Sequence, residues 1–132
     1  MMGAKQPRLL AIDDDVSSAE LIVRIAERCR YEAFATSDSR GVLNLASALS
    51  PNILSIDICM PNLDANDLLV LLANAQYNGK ILIISGQDPE ILEQTRLKAI
   101  SLGLDAPYAM QKPIDVSVLR NALLSDEVRQ AA

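Results

Sequence analysis

Residues 80–86 read KILIISG, a run of four aliphatic residues followed by a hydroxyl and a glycine. A short, continuous apolar run of this kind is typical of a strand that is covered on both faces. Strands buried in this way belong to parallel sheets flanked by helices, so the segment predicts an α/β fold.

Four further segments have strand character and alternate with amphipathic stretches of helical periodicity. In chain order, the predicted strands are Arg8–Ile12, Tyr31–Thr36, Asn52–Asp57, Lys80–Ser85 and Tyr108–Gln111. Five successive βα units predict a single doubly wound parallel sheet with helices on both faces. The strand order expected for such a fold is 2-1-3-4-5.

The start of the first helix has the spacing of a capping box, with Ser17 at the cap and Glu20 three residues later. The same helix has a stripe of apolar residues at intervals of three and four, which predicts the face that packs on the sheet. The predicted buried residues are Leu21, Ile22, Ile25, Ala26 and Cys29.

Three later positions predict further helix ends. Gly79 is expected to end the third helix just before a strand. Asp88–Pro89 predicts the start of the fourth helix, as a cap followed by a first-turn proline. Asp115 predicts the start of the fifth, with Ile114 and Leu119 placed as a hydrophobic staple.

The composition bounds the number of domains and the kinds of partner. With 132 residues, half of them hydrophobic, the chain has enough apolar surface for one compact core. We expect one domain over residues 1–132, with a core at about 8–124 and a short frayed tail at 125–132. The net charge of −5 and the lack of any run of Lys or Arg argue against direct nucleic-acid binding.

The sequence has no apolar run near the length of a membrane span, and its first residues do not resemble a secretory signal. A cytoplasmic location away from the membrane is therefore expected. The chain has no histidine, so its chemistry must depend on oxygen ligands, lysine and hydroxyl groups.

Acidic residues directly follow two of the predicted strands. Asp13, Asp14 and Asp15 come after the first strand, and Asp57 closes the third. In the order 2-1-3-4-5 these two strands are neighbours, and the crevice at their carboxyl ends is where the order reverses. Carboxylates held together repel one another unless a cation compensates. An oxygen-only site with few protein ligands favours Mg²⁺, although the Asp run could also simply cap the first helix.

The fourth and fifth strands bring a hydroxyl and an ammonium group to the same edge of the sheet, in Ser85-Gly86 and Lys112-Pro113. Lysine can neutralise charge on a transferring phosphoryl group, and serine can hydrogen-bond one of its oxygens. Asp57 is then the candidate nucleophile, which would form an acyl phosphate. Taken singly, Ser85 could merely end a strand and Lys112 could be a solvated charge. The agreement of four strand ends favours a phosphoryl site.

Four segments, LLAIDDD, ILSIDICMPNLDANDLL, ILIISG and MQKPID, together resemble the receiver domain of two-component response regulators. They occur in the order and near the spacing of that family, and the resemblance covers about residues 8–124. It implies a flavodoxin-like receiver fold in which Asp57 is the phosphoacceptor. The phosphodonor would be a sensor histidine kinase or a histidine phosphotransfer protein.

The resemblance also implies roles for the residues around Asp57. Asp14 and Asp57 would hold Mg²⁺ directly, together with the main-chain carbonyl of Cys59, and Asp13 would act largely through water. Ser85 would be the switch hydroxyl, and Lys112 would contact the phosphoryl group.

Several positions depart from the family pattern. Ala65 stands where a glycine is common, and residues 103–112, GLDAPYAMQK, form a segment about two residues longer than usual. Ala109 occupies the place of the usual switch aromatic, and we interpret Tyr108, one position away, as a packed strand residue. The stretches ISGQDPEILEQ and SLGLDAPYAMQKPID resemble receivers fused to cyclic-di-GMP phosphodiesterase domains of the EAL type.

The leading hypothesis is a phosphorylation-dependent signalling switch without independent enzymatic turnover. Its output would be altered binding to an output domain, an effector protein or a second copy of the chain. One alternative is an adaptor of the same fold regulated by protein contacts alone, which the missing aromatic and the altered loop motivate. The other is an aspartate-nucleophile phosphatase, whose two acids could be Asp13 and Asp15.

Overall fold

The computed structural model describes residues 6–61 and 63–125, and within them the chain forms five strands and five α-helices. The strands are β1 (Arg8–Ile12), β2 (Glu32–Thr36), β3 (Ile53–Ile56), β4 (Lys80–Ser85) and β5 (Asp105–Gln111). The helices are α1 (Val16–Arg28), α2 (Val42–Leu49), α3 (Ala65–Asn74), α4 (Pro89–Ser101) and α5 (Val116–Leu124). A 3-10 turn, Ser39–Gly41, precedes α2. Apart from Ser125, the predicted frayed tail lies outside the described residues.

The strands form one parallel sheet in the order β2-β1-β3-β4-β5. The buried residues divide into two clusters, one on each side of the sheet. One cluster joins the sheet to α1 and α5, and the other joins it to α2, α3 and α4. The predicted doubly wound α/β fold and its strand order are thereby confirmed.

The two faces of the sheet are built by the alternation of side chains along each strand. In β4, Leu82 and Ile84 belong to the α1/α5 cluster, whereas Ile81 and Ile83 belong to the cluster on the opposite side. The predicted apolar face of α1 is confirmed, because Ile22, Ile25, Ala26 and Cys29 are buried and Leu21 packs against them.

The last strand begins three residues earlier than the sequence predicted, at Asp105 in place of Tyr108. Pro107 obscured its start, because proline cannot donate a hydrogen bond to a sheet ladder and is tolerated only at edges and bulges. Here β5 is an edge strand, and its register against β4 shifts between Lys80 and Leu82. The three residues of β4 from Lys80 to Leu82 face four residues of β5, from Asp105 to Tyr108, so the proline lies in a bulge.

The predicted cap of α1 was wrong. Asp15 is the N-cap residue, and its carboxylate accepts hydrogen bonds from the Ser17 N–H at 3.1 Å and the Ser18 hydroxyl at 2.8 Å. An aspartate in extended conformation can reach the free N–H groups of the first turn, so the helix needs no capping box. The predicted starts of the last two helices are confirmed, with Asp88 and Asp115 as N-caps.

Gly79 does not end the third helix as predicted. That helix ends at Asn74, and the chain turns through Gln76, whose φ is 59°. Gly79 lies in the loop that follows, where a Cβ atom would come within 2.7 Å of the Asn52 carbonyl oxygen and would also meet the Tyr77 ring. The glycine is therefore required for a close approach of two chain segments, not for a left-handed turn.

We expect Gly79→Ala to lower the free energy of unfolding by about 1–3 kcal/mol, the usual range for overpacking a tight site. The Asn52 carbonyl cannot move away freely, because it accepts the Lys80 N–H at 2.8 Å. Urea denaturation would measure the change. Gly41→Ala is the matched control, since no atom lies within 4 Å of its added Cβ, and it should shift stability by less than about 0.5 kcal/mol. Equal effects of the two substitutions would contradict this account.

None of the helices described in the structure is both long and apolar enough to cross a membrane.

Candidate functional site

The backbone places two carboxylates side by side at the carboxyl edge of the sheet. Asp13 directly follows β1, and its N–H donates to the Thr36 carbonyl at 3.1 Å. Asp57 directly follows β3, and its N–H donates to the Ile12 carbonyl at 2.9 Å. Both residues thus continue the hydrogen bonding of the parallel sheet one step beyond the strands, which fixes the positions from which their side chains project.

Asp13, Asp14 and Asp57 form one acidic cluster, in which one carboxylate oxygen from each lies within 4.8 Å of the others. Asp13 and Asp57 are only 3% and 5% exposed, whereas Asp14 is open to solvent. Two acids are therefore held almost without solvent, where like charges repel strongly. The convergence expected from the strand order is present.

Lys112 compensates this charge. Its ammonium nitrogen lies 2.8 Å from Asp13 Oδ2 and 3.0 Å from Asp57 Oδ2, and its side chain is 16% exposed. Its main-chain N–H donates to the Ser85 carbonyl at 2.8 Å, so the end of β4 holds the lysine in place. The sequence predicted that Lys112 lies near Asp57. Its contact with Asp13 was not predicted.

The surroundings of Asp57 favour its ionised form. Burial by itself would raise its pKa, but Asp57 Oδ1 accepts the Cys59 N–H at 2.8 Å, and the side chains of Lys112 and Ser85 add to this. Together these contacts lower the pKa of Asp57 below its usual value. Ser85 itself is fully buried beside the cluster. In the structure Cys59 contacts Asp57 through its N–H. Metal binding by the Cys59 carbonyl stays a prediction.

Asp13 is shifted in the opposite direction. Its burial raises its pKa, and the contacts with Lys112 and with the Asp15 N–H, which donates to Asp13 Oδ1 at 2.9 Å, only partly offset this. The buried Asp13 Oδ2 has the ion pair with Lys112 but no hydrogen bond of good geometry. A buried carboxylate oxygen with spare capacity, next to two further carboxylates, fits a hard divalent cation such as Mg²⁺.

The three consecutive aspartates, Asp13 to Asp15, have two different structural roles. Asp15 caps α1 with its carboxylate and is absent from the acidic cluster, whereas Asp13 and Asp14 belong to it. Helix capping and an acidic cluster are therefore both present in the same run of residues.

Two openings flank the cluster. A polar cleft of about 390 Å³ is lined by Asp14, Pro61 and the loop 37–40. An apolar groove of about 410 Å³, which Asp13 also lines, lies between α1, at Val16 and Val23, and the end of β2, at Ala35 and Thr36. The acidic cluster is thus accessible from solvent although two of its three carboxylates are buried.

Comparison with known proteins identifies the family. The model of the response regulator receiver domain matches residues 9–124. This chain belongs to that family. Receiver domains of two-component response regulators are in general signalling switches, and they commonly bind Mg²⁺ in an acidic pocket. In this receiver domain Asp13, Asp14 and Asp57 form an acidic cluster.

Similar proteins support the assignment. The chain is 27% identical over 106 residues to the alkaline phosphatase synthesis transcriptional regulatory protein PhoP of Bacillus subtilis, covering 80% of this chain and 42% of that protein. It is also similar to the crystal structure of a response regulator from Colwellia psychrerythraea, with 26% identity, a TM-score of 0.80 and coverage of 96% and 99% of the two chains.

A further similar structure is that of a response regulator protein from Burkholderia pseudomallei with a phosphorylated aspartic acid, calcium ion and citrate. Its identity is 25% and its TM-score 0.73, with 94% of this chain and 69% of that chain covered. The receiver described here spans less than half the length of the curated relatives that it matches.

The receiver lacks an aromatic side chain next to the Ser85 loop at the position the resemblance implied. Ala109 packs into the cluster below α2, α3 and α4. Tyr108 packs against the α1/α5 cluster on the opposite face of the sheet, as a strand residue.

We expect Lys112→Met to lower the free energy of unfolding at pH 7 by about 3 kcal/mol when divalent cations are chelated, because it leaves two buried carboxylates uncompensated. The loss should shrink towards acid pH, since these carboxylates can then be protonated. Urea denaturation across a pH series would measure it.

Two further variants test this cause. In an Asp13→Asn background the Lys112→Met loss should be clearly smaller, because one of the two repelling charges is gone. Lys98→Met on the exposed side of α4 should change stability by less than about 0.5 kcal/mol. A loss from Lys112→Met that is the same in both backgrounds would rule out charge compensation.

Proposed function

We propose that this receiver domain accepts a phosphoryl group on Asp57 from a histidine kinase or a histidine phosphotransfer protein, in a Mg²⁺-dependent reaction. The observation that carries the proposal is the environment of Asp57. Its carboxylate is buried, its pKa is lowered, and it lies between the Lys112 ammonium, the Ser85 side chain and two further acids. The phosphorylated aspartic acid of the Burkholderia pseudomallei relative supports the same chemistry.

In the proposed reaction, a carboxylate oxygen of Asp57 attacks the phosphorus of a phosphohistidine on the donor protein. The P–O bond forms while the P–N bond breaks, and its electron pair stays on the imidazole nitrogen of the donor. The lowered pKa keeps Asp57 ionised, so no proton has to be removed from it first. Lys112 and Ser85 provide an ammonium and a hydroxyl for the phosphoryl oxygens.

The residues that would hold the metal are Asp13, Asp14 and Asp57, together with the main-chain carbonyl of Cys59. When bound, Mg²⁺ would offset the charge of the carboxylates and of the transferring phosphoryl oxygens. The buried Asp13 Oδ2, which has no hydrogen bond of good geometry, supports this assignment. The exposed position of Asp14 gives the cation a route from solvent.

Phosphorylation would replace one negative charge on Asp57 with nearly two, and would add acceptor oxygens. Lys112 and Ser85 would move towards the new charge, and the loop after β4 would transmit the change to α4. Leu97 and Ile100 are large exposed apolar residues on this helix. They make the surface of α4, β5 and α5 a reasonable place for a phosphorylation-dependent contact.

The partner on this surface would be an output domain, an effector protein such as one related to cyclic-di-GMP, or a second copy of the chain. We propose that residues 1–132 act as a single receiver domain in the cytoplasm. They would contact neither nucleic acid nor membrane directly. The domain would phosphorylate and dephosphorylate itself, without turning over another substrate.

The phosphatase alternative requires Asp13 and Asp15 to act as a pair. Because the Asp15 carboxylate caps α1, the geometry favours the switch. The adaptor alternative differs from the switch in predicting no response to a phosphoryl group.

Wild-type protein should bind beryllofluoride in the presence of Mg²⁺ and should gain the mass of one phosphoryl group from a small phosphodonor such as phosphoramidate. Asp57→Asn should abolish both, because it removes the nucleophile. Calorimetry and intact-mass spectrometry would measure the two effects. Asp15→Asn is the matched control, since asparagine also caps helices well and this residue lies outside the acidic cluster. A wild-type protein with no response would favour the adaptor.

Asp14→Asn should weaken Mg²⁺ binding by at least about tenfold, because it removes one of the three charges that would attract the ion. Mg²⁺ titration followed by NMR of backbone amides would measure the affinity. Asp15→Asn should bind Mg²⁺ as the wild type does. If Asp15→Asn lost affinity as strongly as Asp14→Asn, the ion would be responding to the acidic run in general.

A further inference from the structure

Two hydrogen bonds tie the end of β5 to the loop that follows β4. The Lys112 N–H donates to the Ser85 carbonyl at 2.8 Å. One residue earlier, the side-chain amide of Gln111 donates from Nε2 to the Gln87 carbonyl at 3.1 Å. Residues 85–87, at the end of β4 and in the loop that follows, are therefore bonded at both ends to the end of β5 and the residue after it.

Few packing contacts hold the centre of this loop, at Gly86. Gly86 lies between the two fastened residues, and a Cβ added there would find no atom within 4 Å. The Gln87 N–H is 3.4 Å from Ser85 Oγ, which is a long hydrogen bond. The next residue, Asp88, already caps α4. Ser85 itself is buried at the end of β4, so it is the main chain at Gly86 and Gln87 that depends on the contact with Gln111, and with it the Gln87 N–H that reaches Ser85 Oγ.

The side chain of Gln111 is well placed for this role. The residue is exposed, pairs with Ser85 in the sheet register and precedes Lys112 directly. Its amide has a donor to spare, and its removal would leave no buried polar group unpaired. The contact can therefore form and break without a large effect on folding.

We propose that Gln111 is a positioning residue for the phosphoryl site: by holding the Gln87 carbonyl, it keeps the Ser85 hydroxyl directed at the group on Asp57. The inference rests on the proposed function of Asp57. It adds a residue that touches neither the metal ligands nor the phosphoryl group. Gln111 acts through the backbone of the loop, in the part of the receiver where Ala109 offers only a small side chain.

The test compares Gln111→Met, which keeps the length of the side chain but removes the donor, with Gln111→Glu, which replaces the donor with an acceptor. Gln94→Met on the exposed surface of α4 is the matched control. Each protein is titrated with Mg²⁺ alone and then with beryllofluoride at saturating Mg²⁺, by calorimetry. Hydrogen exchange of the Gly86 and Gln87 amides is followed by NMR in the unliganded proteins.

Loss of one exposed hydrogen bond should weaken beryllofluoride binding by roughly three- to tenfold in both Gln111 variants and speed exchange of the loop amides. Mg²⁺ affinity and the thermal midpoint should stay at wild-type values, as should every property of Gln94→Met. A loss of beryllofluoride affinity without a loss of Mg²⁺ affinity would distinguish a role in positioning the loop from general destabilisation.

Three outcomes would overturn the inference. If the wild type binds beryllofluoride and the Gln111 variants bind it equally well, Gln111 has no positioning role. If Mg²⁺ affinity or the thermal midpoint falls in parallel, the effect is structural. If the wild type itself does not respond, the proposed function of Asp57 fails and this inference fails with it.

Discussion

The ion pairs of Lys112 with Asp13 and Asp57 are the contacts on which the site depends. Two carboxylates lie within an almost solvent-free pocket, and a single ammonium group contacts both. Removal of ions from water is costly, and one positive charge cannot fully offset two negative ones. Burial raises the pKa of Asp13, whereas the contacts of Asp57 with the Cys59 N–H, Lys112 and Ser85 lower the pKa of Asp57. The negative charge that remains is the physical reason to propose a divalent cation there.

The opposite edge of the sheet helps to bring these groups together. Arg8 pairs with Glu32, and its N–H donates to Asn52 Oδ1 at 2.7 Å. The Lys80 N–H donates to the Asn52 carbonyl at 2.8 Å, and the Lys80 side chain pairs with Asp105. The exposed ion pairs contribute little to stability, but the network joins the first residues of neighbouring strands. Because a slip by one residue would turn every side chain to the other face, the fixed starts bring the strand ends into alignment.

Sequence reasoning succeeded where one local pattern has one structural meaning. The aliphatic run of β4 and the acids that end two strands needed only the rule for parallel sheets, so the fold and the meeting of Asp13 and Asp57 could be predicted. It failed where two structures share one pattern. Ser17 with Glu20 fits a capping box, yet Asp15 provides the cap. Gly79 fits a helix end, yet its role is a close approach to Asn52, a residue far away in sequence that no local pattern reveals.

The bulge in β5 changes which face of the sheet its side chains take without disturbing the acidic site. Ala106 lies in the cluster of the α2–α4 face, and strict alternation would place Tyr108 on that face as well. The extra residue at the bulge reverses the alternation, so Tyr108 faces α1 and α5 and Ala109 faces the other side. The Ala106 carbonyl accepts a hydrogen bond from Arg96 Nη1 at 3.2 Å, which satisfies a main-chain group at the irregular point.

Beyond the bulge, β4 and β5 pair regularly up to Ser85 opposite Gln111. Lys112 is the next residue, and its N–H reaches the Ser85 carbonyl. A bulge nearer to the carboxyl edge would have changed that pairing, and the ammonium group would then point away from Asp13 and Asp57. The irregularity lies instead at the far end of the strand. The bulge therefore leaves in place the lysine on which the acidic pocket depends.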